Sequence, residues 1–554
     1  GRLYRFDRRT GQSQDISPTA VSSFGQEINQ RTLRFTWTSP IVFVPQHPNQ
    51  ILMGAQYVLR SDDRGHSWHR ISPDLTGCAT AGIIRPEASS YPKPLSTENA
   101  TARCYGVVYT IAPSPVQDGV IWAGTDTGRI HITRDGGKTW QDVTPNGLDD
   151  WSKISMIDAS PFDAATAYAA VDRHRLDDYV PAILRTHDFG KTWTRFGGTP
   201  SLSNSSVRVV REDPKRKGLL YAGTETGAFV SFNDGDSWQP LNLNLPVTPI
   251  HDLIVHNDDL IVATHGRSFW ILDDLEPLRQ ISTQLGSQPA TLFRPPTAYR
   301  LRSDQQHDTP WPPETPMGQN PPSGAILDYY LAQPSAEVGI EIRDSAGNIV
   351  RRYSSHDQEP PHPPVAFPEY WFPKPQALSG EAGHHRFVWN MRYADPPAVN
   401  RSYDLSAVFG VVMEPNPRGP LALPGKYEVR LIAGGKTYSQ TLTLAPDPRL
   451  KVTPAELGQQ HSLEMQIVDA MQQAWDALQK ARSAQGNPQA GQLAGGRGTR
   501  GDTFASLLGS LGSLLDVVDS ADTAPTEQAQ STFRDLKQRL DTLLAARKQA
   551  QSPK

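Results

Sequence analysis

The chain has 554 residues with 54 basic and 58 acidic side chains, a formal charge of −4, which excludes a basic nucleic-acid footprint. Its 48 prolines and 43 glycines mark a turn-rich, mainly β protein, and at roughly 150 residues per domain its length suggests three or four folding units. The longest apolar stretches, such as Gly106 to Ile111, are strand-sized and well short of the ~20 residues of a membrane helix, so no membrane span is expected.

From the N-terminus, Arg2 to Phe6, a turn from Asp7 to Gly11, and Gln14 to Ser17 read as the outer half of a four-stranded unit lacking its first two strands. With no methionine or signal peptide before it, Gly1 reads as the start of a processed chain or of a fragment. Four repeats of one plan follow. An apolar strand (Ile41 to Val44, Val107 to Ala112, Ile154 to Ala159, Val207 to Arg211) leads through a turn to a second strand (Ile51 to Gly54, Val120 to Gly124, Ala167 to Val171, Leu219 to Gly223). A third strand then enters an eight-residue signature, Ser/Thr-x-Asp-x-Gly-x-Ser/Thr-Trp. Its copies carry Ser61, Asp63, Gly65 and Trp68; Thr133, Asp135, Gly137 and Trp140; Thr186, Asp188, Gly190 and Trp193; and Ser231, Asn233, Gly235 and Trp238, where Asn replaces the carboxylate. Short polar side chains that bond nearby amides, a glycine free to take positive φ and a closing tryptophan describe a tight hairpin, so these residues are expected to be structural. Each repeat is then a four-stranded meander with the octet joining strands three and four, the plan of a propeller blade. A fifth unit, Leu253 to Val255, Leu260 to Ala263 and Ser268 to Leu272, follows without the octet.

Before the first strand of the second repeat, Cys78 and Cys104 lie 26 residues apart in a stretch without periodicity, and fit neither a zinc motif nor a CxxC redox site. A disulfide and two reduced thiols both stay open. The insertion from Gly77 to Thr101 reads either as a lid over the channel or as a solvated loop.

After residue 282 the pattern changes. Residues 283–323 read as a linker with one strand, Ala298 to Arg302; residues 324–447 read as a small β-sandwich of fibronectin or immunoglobulin type, interrupted by a proline-dense loop from Pro360 to Pro375. Residues 448–554 read as a helical tail. Thr453-Pro454-Ala455-Glu456 is a capping box, Leu457, Ile467, Met471 and Leu478 mark one helical face, and a glycine-rich linker spans 485–501. Further helices carry Phe504, Leu508, Leu511, Leu515 and Val518, then Phe533, Leu536, Leu540 and Leu544, giving an expected two- or three-helix hairpin.

Candidate chemistry lies opposite the octets, in the turns between strands two and three. There the repeats place Gln56; Asp126 with Arg129; the longer loop with Arg173, His174, Asp177 and Asp178; Glu225; and His265 with Arg267. Titratable groups recurring at equivalent positions would converge on one rim. Two carboxylates about 5 to 9 Å apart can run a glycosidase, with Asp126, Glu225 or the Asp177/Asp178 pair as acid and base. The remaining rim residues would bind ligand. Acids solvated or paired with neighbouring arginines are the competing expectation. His131, His251 and His256 lack metal-ligand spacing and read as ordinary strand or loop histidines; no metal and no cofactor is assigned.

The octet is similar to the Asp box of sialidases, sortilin-type receptors, xyloglucanase-type glycoside hydrolases and a photosystem assembly factor. Tyr221-Ala222-Gly223-Thr224-Glu225-Thr226-Gly227 and the run from Ala263 to Asp274 resemble the large bacterial exported Asp-box proteins described as sortilin-like or glycosyl hydrolase-like, over nearly the whole chain and including Ala325 to Tyr330. The resemblance implies a secreted, periplasmic or cell-surface protein with further blades upstream, and a protein or polysaccharide partner. Two functions follow as expectations: ligand binding on the propeller rim, or glycoside hydrolysis by rim carboxylates. The three arginines and Tyr/Glu pair of a sialidase do not map onto this sequence.

Overall fold

The computed structural model describes residues 2–19, 33–77, 106–196, 202, 205–282, 284–302, 312, 314–316, 318, 320–358, 368–372, 376–403, 415–484, 488–495 and 501–551. Cys78, Cys104 and the insertion beyond Gly77 lie outside the described residues, as does most of the Pro360 to Pro375 loop. Contacts divide the chain into Gly1–Leu275 and Glu276–Lys554.

Sequential strands joined by short turns pair antiparallel with their chain neighbours, and in the first unit this rule produces a series of separate small sheets. A hairpin of Tyr4–Phe6 and Ser13–Asp15 comes first. Four four-stranded sheets follow, each ordered as the chain runs, with first strands Ile41–Val44, Val108–Pro113, Lys153–Ala159 and Val207–Glu212. A three-stranded sheet of Ile250–His256, Asp259–Thr264 and Phe269–Leu272 closes the unit. The first strands of neighbouring sheets lie against one another from the second sheet to the fifth, which is a propeller-like arrangement.

Apolar clusters between successive sheets hold the series together: Leu52, Val108 and Ile121 between the first and second, Trp122, Ile154 and Ile157 between the second and third, Tyr168, Val210 and Ala222 between the third and fourth. The second strands Ile121–Thr125, Ala167–Asp172 and Leu220–Thr224 are buried along their whole length, because both faces are covered. Small residues let the next sheet approach. A Cβ on Gly124 would meet Ile154 Cγ2 at 2.5 Å, and one on Gly223 would meet Ile250 Cγ2 at 2.6 Å.

Each octet joins the third and fourth strands of its sheet. In the second, Asp135 Oδ1 accepts from Thr133 Oγ1 at 2.8 Å and from the Thr139 amide at 2.9 Å, Oδ2 accepts from Thr139 Oγ1 at 2.6 Å, and the Gly137 amide bonds Thr133 Oγ1 at 2.9 Å. The hydroxyl and amide of Thr139 hold the Asp135 carboxyl down to about 2. Asn233 repeats the pattern, its amide nitrogen donating to Ser237 Oγ at 3.0 Å.

The octets also tie one sheet to the previous one, a role the sequence did not disclose. Trp68, Trp140 and Trp193 donate from Nε1 to the carbonyls of Ile16, Ile71 and Val143 at 2.8, 2.7 and 2.8 Å. Gly137, at φ +96°, lies so close to Ile71 that a Cβ would meet its carbonyl oxygen at 2.8 Å. Trp140→Phe keeps one aromatic ring but removes the bond and half of the indole, so it should lower the stability of the first unit by at least ~1 kcal/mol in chemical denaturation. An unchanged midpoint would show that the tie contributes nothing.

In the second unit, alternation buries Tyr427, Val429, Leu431 and Ala433 on one face of Gly425–Ala433. This strand belongs to a five-stranded sheet ordered Ala298–Arg300, Lys436–Pro446, Gly425–Ala433, Val338–Arg343, Ile349–Ser354. A three-stranded sheet of Ala290–Leu292, Ala325–Leu331 and Gly383–Trp389 shares its apolar core, through Leu327, Trp389, Ile340 and Leu442 among others. The segment read as a linker therefore supplies a strand to each sheet: Ala290–Leu292 beside Ala325–Leu331, and Ala298–Arg300 parallel to Lys436–Pro446. The strand expected from Ala298 is present, whereas Ala290–Leu292, with two apolar positions in three residues, is too short to carry a period.

Pro454–Ser483 starts at the Thr453 capping box, with Glu456 reaching back to the Thr453 amide at 2.8 Å. Phe504–Val518 and Glu527–Gln551 pack on it through Leu508, Leu511, Leu515, Phe533, Leu536 and Leu540. The glycine-rich segment is not all linker, since Pro488–Ala494 is a helix with proline at its first position.

Candidate functional site

From the second sheet to the fifth, the first strand carries one extra residue near its start. Pairing skips between Val108 and Thr110, Ile154 and Met156, Val207 and Val209, and Ile250 and Asp252. Such a bulge bends the strand and re-aims the unpaired side chain. The re-aimed residues are Tyr109, Ser155, Arg208 and His251. Ser155 turns to backbone, bonding the Ala170 carbonyl at 3.1 Å, and in that sheet Lys153 takes the polar role.

These side chains meet around Asp172, whose side chain is 0% exposed. Lys153 Nζ and Arg208 NH1 approach its Oδ2 at 3.0 and 3.1 Å, and His174 Nδ1 lies 2.7 Å from Oδ1. Burial pushes the Asp172 carboxyl up, but Lys153, Arg208 and the two bonds from His174 outweigh it and hold it at about 2. Arg208 Nε also pairs with Glu225. The Lys153 ammonium sits over the Tyr109 ring at 4.8 Å, and the Tyr109 hydroxyl accepts from Thr38 Oγ1 at 3.1 Å. Next to Thr38, Trp37 is 89% exposed. The His251 ring lies 4.7 Å from that of His265; burial, Arg208 and His265 keep His251 below its usual range.

The rim residues read from the sequence divide accordingly. Glu225, His174 and His265 join this cluster. Asp126 is buried beside it: its Oδ1 accepts from the Val107 amide at 2.8 Å, and Arg175 NH1 lies 3.6 Å from Oδ2. Burial raises the Asp126 carboxyl above its ordinary value against the pull of Val107 and Arg175. Arg173 bridges Asp149 at 2.7 Å and Asp178 at 3.3 Å, and Asp177 ends the short turn His174–Leu176 at φ 56°. Arg129 pairs with exposed Asp150 at 3.0 Å. Gln56 is buried and accepts from the Arg34 amide at 2.8 Å. The Arg267 amide donates to Thr264 Oγ1 at 3.0 Å, which closes its turn.

Lys153, Asp172, Arg208, Tyr109 and His251 are thus central, and His251, read as an ordinary strand histidine, sits against the candidate site. Asp172 opens the longer rim loop in the sequence, and for Tyr109, Arg208 and His251 the trace is a polar or aromatic residue breaking the apolar run at one position of successive repeats. Among the described residues no group of three or more His, Cys, Asp or Glu is arranged to hold a metal ion, and no helix is long and apolar enough to cross a membrane.

Solved structures similar to this chain include the GH74 xyloglucanase from Xanthomonas campestris, at 15% identity and TM-score 0.33, covering 48% of this chain and 40% of that one. The Niastella koreensis GH74 enzyme matches at 13% identity and TM-score 0.25, covering 50% and 49%. YCF48 bound to D1 peptide matches at 11% and 0.19, covering 43% of this chain and 94% of that one. The chain spans less than half the length of either GH74 enzyme. No family model and no curated protein matches the chain.

Proposed function

We propose that this is an exported propeller protein, with five blades and a half-blade in residues 1–282, that recognises a protein or glycan ligand across the mouth formed by Tyr109, Lys153, Arg208 and His251 without hydrolysing it. Residues 324–447 form a fibronectin- or immunoglobulin-like sandwich, and residues 448–554 a helical hairpin. The octets serve as Asp boxes that hold the blades together.

The observation carrying this reading is the pairing of three of the four candidate acids. Asp126 lies against Arg175, Glu225 against Arg208 and Asp178 against Arg173. A glycosidase needs one carboxyl neutral and one free to attack or activate water; a carboxylate held by an arginine is a poor base, because the pairing favours its ionised, hydrogen-bonded form. Trp37 and Tyr109 beside the charged cluster supply apolar faces and polar handles, which suit recognition.

The test incubates the protein with xyloglucan, other β-glucans and sialosides, and measures binding on peptide and glycan arrays. No hydrolysis is expected, and Arg208→Ala combined with Trp37→Ala should weaken array binding at least about tenfold. The raised carboxyl of Asp126 favours one rival, the hydrolase. Sugar release that disappears in both Asp126→Ala and Glu225→Ala would replace the binding reading with that one.

A further inference from the structure

The second unit holds a carboxylic acid that none of the described residues around it satisfies. Glu464 lies on Pro454–Ser483, where the helices meet the sheets of the same unit. It is 0% exposed, and neither of its oxygens has a hydrogen-bond partner among the described residues. One turn earlier, His461 Nδ1 lies 3.8 Å from Glu464 Oε2 and is likewise unpartnered, as is Gln460 Oε1.

The cations nearby are committed elsewhere. Arg300 donates to Asp522 at 3.0 and 3.2 Å and to the carbonyls of Leu421 and Ala422. Arg302 spans Asp522 and Asp519, and Arg392 bonds Asp519 at 2.8 Å and the Gly419 carbonyl at 2.7 Å. Arg418 faces Arg392 with like charge. Glu464 has a share in their field but no donor of its own, and Asp519 faces it with like charge.

An ionised carboxylate without hydrogen bonds in a closed interior is far more costly than the neutral acid. We infer that Glu464 is a proton-dependent latch: the long helix seats on the sheets with Glu464 protonated, and the helices loosen when it ionises.

The sign follows from the folded state. Burial, with Asp519 adding and Arg300, Arg302 and Arg392 opposing, pushes the Glu464 carboxyl from 4.5 up to about 7. Seating is strongest below the ordinary value and weakens as pH rises through that interval. His461 acts in the opposite sense. Burial and Arg300 hold it below its usual range, so protonating it in acid also opposes seating. The helices are therefore held most firmly in a window of mildly acidic pH.

The test is segment-resolved amide exchange over Pro454–Ser483 and Phe504–Val518 in the full chain, corrected for intrinsic rates, from about pH 5 to about pH 8. The opening equilibrium should rise on the order of a hundredfold across that range in the wild type and stay flat on the alkaline side in Glu464→Gln. A Gln variant with the same alkaline rise as wild type would overturn the latch. A second readout needs no variant: infrared difference spectra of the wild type should show a protonated carboxylic acid lost between neutral and alkaline pH. Its absence at neutral pH would also overturn the inference.

Discussion

Asp522→Ala should destabilise the second unit by about 3–5 kcal/mol, because it leaves the buried Arg300 guanidinium without its carboxylate and Arg302 with Asp519 alone. Arg300 is 2% exposed and gives two bonds to Asp522, while Arg302 Nε reaches the same carboxylate at 2.6 Å. Segment-resolved exchange over Gly425–Ala433 would report the loss without assuming that the two units unfold together. Burial alone would push the Asp522 carboxyl up, but bonds and charge from Arg300 and Arg302 outweigh it and hold it below its ordinary value. The contribution is then fully present above the ordinary aspartate value and fades as pH falls through the folded one. A variant within about 1 kcal/mol of wild type would mean that water replaces the carboxylate.

Asp172→Ala should have a comparable effect in the first unit, about 3–5 kcal/mol, and should abolish the proposed ligand binding at the mouth. Lys153 is 6% exposed and would lose the carboxylate 3.0 Å from its ammonium, and Arg208 would be left to Glu225 alone. Asp172 sits at about 2 against an ordinary 3.8, so its share of stability is complete above the ordinary value and is lost as pH falls from about 4 to about 2. Asp178→Ala is the control. Its pair with Arg173 is partly exposed, and such pairs contribute about 0–1 kcal/mol. Equal effects from the two variants would remove Asp172 from the centre of the cluster.

Both predictions concern groups whose partners are remote in the chain, and this separates what could be read in advance from what could not. The octets were legible because their hydrogen bonds close within a few residues: Asp135 answers Thr133 and Thr139, and Gly137 supplies the positive φ. The capping box at Thr453 was legible for the same reason, and the buried face of Gly425–Ala433 because alternation has a fixed period. The rim turns can be aligned in the sequence, which points to Glu225, His174 and His265. Lys153 and Arg208 escape the sequence, and His251 reads there as an ordinary histidine; for Arg208 and His251 a one-residue skip in pairing decides which way the strand residue points, and the repeats do not announce it.

What the amino-acid order determined by itself is therefore the repeated meander, its octet hairpins, the β segments of the second unit and the helix starts, all of which rest on local bonding and short periodicities. Only the tertiary structure decided that three tryptophans tie their sheets to the preceding one, that Asp172 gathers cations from two first strands, and that Arg300 finds Asp522 across 222 positions. Such pairings depend on how sheets and helices stack, and stacking is set by apolar surfaces summed over the whole unit, to which any single charged residue adds almost nothing that its neighbours in sequence can reveal.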